Sequence, residues 1–169
     1  ETVVGAGLPV IQTLKNLLET GDQIIEIQGC FSGSLGYIFS QLDKGLPFSE
    51  AVMDAKEKGF TEPDPREDLS GRDVARKALI LARINGANME MTDIQLKGLY
   101  PESMQKLSVS EFLSKLPQLD SEFKQKTDTA AKEKKVLRFL AKVKNNKCTV
   151  GLEAVTRDSD IGALNGPDN

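Results

Sequence analysis

Apolar positions along this chain recur with two periods, and the changes of period mark its elements. In GLPVIQTLKNLLETGD (residues 7–22) Val10, Leu14, Leu17 and Leu18 form a stripe at helical spacing. Pro9 suits the first turn of that helix and Gly21 supplies its stop. QIIEIQGCF (23–31) alternates as a strand does. SGSLGYIFSQLDKG predicts a short helix closed by Gly45, and PFSEAVMDAKEKG a better one with Ser49 as N-cap and Gly59 as stop. SGRDVARKALILARING is the clearest helix: Ser70 caps it, Asp73 follows at capping-box spacing, and Gly86 ends it. Its inner side carries Val74, Ala78, Leu81 and Ile84. DIQLKGLY reads as a strand, and SVSEFLSKL and LDSEFKQKTDTAAKE read as surface helices. KVLRFLAKV and CTVGLEAVT flank KNNK, a hairpin signal. Helices and strands mix without strict alternation, which favours an α+β layer structure, a sheet covered by helices, over a doubly wound fold.

Composition narrows the function. The 169 residues suffice for one domain with a real core, at 39% hydrophobic and 28% charged. A net charge of −3 gives no field that points to nucleic acid or an anionic membrane. No apolar run approaches the roughly 20 residues that span a bilayer, and no signal peptide opens the chain. Cys30 and Cys148 sit in apolar, strand-like contexts and are expected to be buried free thiols in a reducing compartment. Histidine is absent, so any chemistry runs on Asp, Glu, Lys, Ser or a borrowed cofactor. The chain opens at Glu1 and closes with LNGPDN, which is read as a piece of a longer protein.

Two stretches carry candidate chemistry. VVGAGLP suggests a dinucleotide loop, but the last position of a G-x-G-x-x-G pattern falls on Val10, which is not small. A tight turn capping a helix is the simpler reading. A turn that aims successive carbonyls at a hard cation is the third.

The second stretch, FTEPDPREDLSGRDVARK (60–77), holds five acids, four bases and two prolines in eighteen positions. Pro63 and Pro65 fix two φ angles and bias Glu62 and Asp64 towards extended backbone, so their side chains can be aimed in advance. Asp68 and Asp73 flank a helix start, where the helix dipole alone would favour them. Asp73 and Lys77, four apart, share a helical face, as do Arg72 and Arg76 beside them. Carboxylates suit an ammonium group and a lysine suits a carboxylate or a polarised carbonyl, groups that a small amino acid carries together. A solvated ion-pair network is the competing account. A divalent metal is a weaker one, because a lysine and two prolines lie inside the cluster.

GFTEPDPREDLSGRDVARK resembles the signature segment of the homoserine dehydrogenases. VGAGLPVIQTL, GCFSGSLGYIF and LDKGLPFSEAVMDAKEKG resemble that family's domain-junction turn, substrate-side turn and the helix leading to the signature. The likeness is close over residues 1 to about 90 and looser beyond, and it is nearest to the form fused to an aspartate kinase. It implies a mixed, mostly antiparallel sheet with helices on one face, and reduction of aspartate 4-semialdehyde to L-homoserine with NADPH or NADH on the route to threonine and methionine. Residues 1–169 would be the substrate-binding and dimerisation domain, paired as a homodimer through its sheet, in the cytoplasm or, for a plant or algal parent, the plastid.

By the same resemblance Lys77 is the catalytic lysine, Glu62 and Asp73 hold the substrate's amino group, and Asp68 lines the site. Gly59 lies beside substrate and cofactor. Glu1, Val4, Ala6 and Leu8 form a monovalent cation site of main-chain carbonyls, with sodium the usual occupant. The nucleotide-binding domain and a second active-site lysine lie outside this sequence, so reduction by this chain alone is not expected. Gly36 stands where serine or asparagine is more usual. A non-catalytic amino-acid-binding or interaction module on the same scaffold is the alternative, and a metal-dependent hydrolase a third.

Overall fold

The computed structural model describes residues 4–167. Eleven regular elements follow one another: α1 (Val10–Glu19), β1 (Glu26–Gly29), α2 (Gly33–Asp43), α3 (Phe48–Glu57), α4 (Arg66–Leu69), α5 (Arg72–Ile84), β2 (Gln95–Leu96), α6 (Val109–Lys115), α7 (Asp120–Lys132), β3 (Lys135–Lys144) and β4 (Lys147–Thr156). The four strands lie in the order β1-β3-β4-β2. β1–β3 and β3–β4 are antiparallel and β2–β4 is parallel, so the sheet is mixed and mostly antiparallel, with helices on one side.

Strand periodicity assigns the two faces. Leu137, Phe139, Ala141 and Val143 of β3 enter the main core together with Cys148 and Val150 of β4. The alternate positions are mixed: Val136 and Leu140 are buried and apolar, while Arg138, Lys142 and Lys144 carry charge. Lys142 pairs with Glu153 at 3.3 Å and Lys144 with Glu26 at 2.6 Å on the opposite face. That face is therefore charged towards the β3–β4 turn and apolar at Val136 and Leu140. The β3–β4 turn is formed by Asn145 and Asn146 at φ 50° and 56°, the left-handed pair that a two-residue type I′ hairpin requires.

Arg138 has the opposite orientation to its strand neighbours Leu137 and Phe139, yet is only 4% exposed. Its guanidinium pairs with Asp43 at the end of α2 (2.8 Å) and donates to the carbonyls of Leu137, Gly162 and Leu164. One side chain thus joins the sheet, a helix end and the C-terminal turn.

Several expected boundaries move for identifiable reasons. Pro47, not Ser49, caps α3. The N–H and hydroxyl of Ser49 both donate to Asp120 at 2.7 Å, so a residue 71 positions away satisfies that helix start. Ser70 is not the N-cap of the signature helix, and Asp73 forms no capping box. A separate turn, α4, intervenes, and Gly71 occupies the cap position at φ 70°. A Cβ on Gly71 would lie 2.4 Å from the Phe139 ring, so both backbone conformation and close approach to the sheet demand glycine. DIQLKGLY yields only the two-residue β2, which pairs along the edge of β4. Leu17 is 39% exposed and leaves the α1 stripe to its neighbours. The two surface helices are anchored by buried aromatics, Phe112 on α6 and Phe123 on α7, the latter stacked on Phe48.

The cysteines are buried and free. Burial pushes the Cys30 thiol up to about 11, which leaves it little thiolate character.

Candidate functional site

Three segments meet where the sheet hands the chain to its helices: the β1–α2 turn, the proline-stiffened loop before α4, and the first turns of α5. Ser32 caps α2 by accepting the Leu35 N–H, and its hydroxyl lies 3.0 Å from that of Ser34. Ser34 donates to Asp68 Oδ1 at 2.7 Å, while Asp68 Oδ2 accepts the Glu62 N–H at 2.9 Å. Asp68 is thus the hub that ties the loop to the β1–α2 turn.

On α5 the i, i+4 geometry brings Lys77 Nζ to 2.8 Å from Asp73 Oδ2. The same ammonium donates to the Phe31 carbonyl at 2.9 Å. Lys77 is largely covered, and Asp73 is mostly open to solvent. A charged lysine end is therefore held at a fixed place beside an available carboxylate.

A cavity of about 340 Å³ opens here, lined by Glu62, Asp68 and Asp73 and also by Ser32, Arg72 and Arg76. Neither arginine is paired with an acid among the described residues. Negative and positive groups thus share one small polar cavity, a match for a zwitterion. The structure brings Glu62, Asp68 and Asp73 together in this cavity; Lys77 does not line it and joins the group through its ion pair with Asp73. Gly59 is not among the lining residues. It ends α3 at φ 73°, where the chain turns into the loop.

Ser32, Ser34 and the charge on the two arginines were not singled out as site features. The serines could be placed only by tertiary contact, since 34 residues separate Ser34 from Asp68. The arginines' i, i+4 spacing was visible, but not that it faced the acids.

The loop is stapled from below. Asp64 Oδ2 lies 2.6 Å from Arg66 Nη2, and Arg66 Nη1 donates to the carbonyls of Gln105 and Leu107. The guanidinium also lies over the Phe112 ring, 5.4 Å from its centroid. Its hydrogen bonds hold the Asp64 carboxyl below the usual carboxylate value of 3.8, against a smaller opposing effect of burial. A lowered folded-state pKa adds stability above the unfolded value, which is lost as pH falls through the folded one. Acid titration below about pH 4 is therefore expected to loosen this loop in the native protein. Arg66→Ala should remove that step, as followed by proteolytic cleavage within residues 60–70. Identical acid profiles for the two proteins would exclude the staple as its source.

The glycine-rich turn bonds two amides within itself. Leu8 N–H donates to Gly5 O and Val10 N–H to Leu8 O, both at 2.8 Å, so these amides are consumed internally. Gly5 is required by packing, since a Cβ would lie 2.6 Å from a Val10 methyl. Val4 is buried and Ala6 has φ 49°. The Leu8 carbonyl keeps a second lone pair beyond its bond to Val10, so the turn is chemically able to present oxygen to a cation. Glu1, the fourth expected contributor, lies outside the described residues. Among the described residues no group of three or more His, Cys, Asp or Glu could hold a metal ion, which leaves the hydrolase alternative without a ligand set. No helix among them is long and apolar enough to cross a membrane.

The chain matches the homoserine dehydrogenase family over residues 9–169. All of it aligns, at 49% identity, with 21% of the bifunctional aspartokinase/homoserine dehydrogenase of Haemophilus influenzae. It is 47% identical to the homoserine dehydrogenase of Schizosaccharomyces pombe, again over the whole chain and 47% of that protein. The chain thus spans about a fifth of the fused relative and about half of the separate one. Among solved structures, a Candida auris protein of unknown function superposes with a TM-score of 0.92 at 41% identity, over 97% of this chain and 48% of that one. A homoserine dehydrogenase from Thiobacillus denitrificans shares the fold, with a TM-score of 0.76 at 24% identity over 98% of this chain and 35% of that one. On the match across residues 9–169 and the identity to two such relatives over the whole of this chain, the chain belongs to the homoserine dehydrogenase family.

Proposed function

We propose that residues 1–169 are the substrate-binding and dimerisation domain of an enzyme that interconverts aspartate 4-semialdehyde and L-homoserine, in the supply of threonine and methionine. The observation that carries this reading is the Lys77–Asp73 ion pair, whose carboxylate lines a small polar cavity together with Glu62 and Asp68. Glu62 and Asp73 take the substrate ammonium. Arg72 and Arg76 supply the positive charge that its carboxylate needs. Lys77 Nζ donates to the aldehyde oxygen, steadies the negative charge that grows there, and delivers the proton that makes the hydroxyl. In the oxidative direction the same nitrogen receives it.

NADPH or NADH, when bound, supplies the hydride at the substrate carbon, which is why a site without histidine suffices. The dinucleotide is held mainly by a domain outside this chain, with Gly59 beside the shared boundary. Asp68, with both oxygens engaged, lines the site chiefly by keeping Glu62 and Ser34 in place. The carbonyls of Val4, Ala6 and Leu8, joined by Glu1, hold sodium and brace the start of α1. Two copies pair through the sheet, in the cytoplasm or, for a plant or algal parent, the plastid.

The test is titration of the chain with L-homoserine, followed by NMR, with L-threonine as control ligand. Saturable shifts at Glu62 and Asp73 that disappear in Asp73→Ala are the expected result. The full-length protein should also oxidise L-homoserine with NADP⁺ or NAD⁺. Homoserine binding without oxidation by the full-length protein would favour a non-catalytic amino-acid-binding module instead.

A further inference from the structure

Outside the residues that line the cavity lies a second polar cluster that the proposed chemistry does not use. The Tyr37 side chain projects from α2 and the residue is 8% exposed. Its hydroxyl donates to Asp54 Oδ2 and accepts from Lys58 Nζ, both at 2.6 Å, and Lys58 closes the triangle with Asp54 Oδ1 at 2.8 Å. The Tyr37 ring, fixed at its tip, carries Phe60 stacked on it with centroids 4.4 Å apart and planes 29° apart. Phe60 is a large apolar residue left 39% exposed at the start of a charged loop. A residue so placed gains little by burial, and the stack on Tyr37 is what gives it a fixed position.

Phe60 is separated from Glu62 by one residue. Its N–H closes the end of α3 on Ala55 O, and Lys56 Nζ grips Pro63 O at 2.7 Å on the far side of Glu62. The loop is therefore pinned immediately before and after the carboxylate that faces the cavity. We infer that Tyr37 and Phe60 are positioning residues for Glu62, holding the loop at the geometry the substrate ammonium requires. The inference rests on the reading of Glu62 as a substrate ligand, but its structural half can be measured without turnover.

The measurement is hydrogen exchange with mass-spectrometric readout on the full-length protein, alongside steady-state oxidation of L-homoserine. Phe60→Ala removes an exposed ring that is not itself part of the core, so it is expected to fold. Exchange in the peptide spanning 59–66 should accelerate about tenfold, with the hairpin 135–156 unchanged, because only the local opening is made easier. KM for homoserine should rise about tenfold with kcat within about threefold, the signature of a displaced binding group. Tyr37→Phe, which keeps the ring but frees it from Asp54 and Lys58, should show the same pattern at about a third of the size. Phe60→Tyr retains the stack and should restore wild-type exchange and KM. The inference is overturned by exchange in 59–66 within about twofold of wild type in Phe60→Ala, or by equal acceleration in 135–156, which would mark a general structural role. A wild-type protein that does not oxidise homoserine would sink the proposed function, while the exchange data would still decide whether these residues hold the loop.

Discussion

Lys77→Met in the full-length enzyme is expected to lower kcat for homoserine oxidation by about 10²–10⁴-fold while KM changes far less. Methionine keeps the length and the packing of the covered stem but removes the nitrogen held between Asp73 Oδ2 and the Phe31 carbonyl. Water could exchange the proton, though not from a fixed position, which is why the effect should fall on turnover and not on binding. Asp73→Ala should behave differently. It removes a ligand to the substrate ammonium and also one of the two groups that hold Lys77, so KM should rise together with a fall in kcat. Steady-state kinetics of both variants separate the roles. A Lys77→Met enzyme that turns over within a few-fold of wild type would remove Lys77 from the chemistry altogether.

The second large effect concerns stability. Arg138→Met should cost about 3–5 kcal/mol, read as a lower urea midpoint at unchanged slope. The guanidinium is buried, and its loss strands the Asp43 carboxylate, itself largely covered, together with the carbonyls of Gly162 and Leu164. Pairing the change with Asp43→Leu should recover part of the loss, since replacing both ends of a buried ion pair is milder than removing one. A double variant no more stable than Arg138→Met would show that the carbonyl contacts, not the ion pair, hold the C-terminal turn against the sheet.

How far the site was legible differs from residue to residue. Asp73 and Lys77 were readable because a helix converts a spacing of four into adjacency, and the ion pair at 2.8 Å follows from that alone. The stiffness around Glu62 was readable because proline restricts φ whatever the fold. The partner of Asp68 was not, because Ser34 reaches it from a turn 34 residues earlier. The start of α5 was misplaced for a related reason. Ser70 and Asp73 have the spacing of a capping box, but packing of the α4–α5 junction on Phe139 selected Gly71 in a left-handed conformation.

By itself, then, the sequence determined what depends on neighbours within a turn or a strand: the helices over Val10–Glu19 and Phe48–Glu57, the Asn145-Asn146 hairpin, the rigid acidic loop and the Asp73–Lys77 face. These are set by local dihedral preference and periodicity, which act over a few residues. Tertiary structure alone decided the rest. It gave Asp120 the task of capping α3, made Arg138 a buried link between sheet, α2 and the C-terminal turn, and set Tyr37 under Phe60. Each of those contacts joins groups far apart in sequence, and each forms only because the burial of the common core has already brought their segments together.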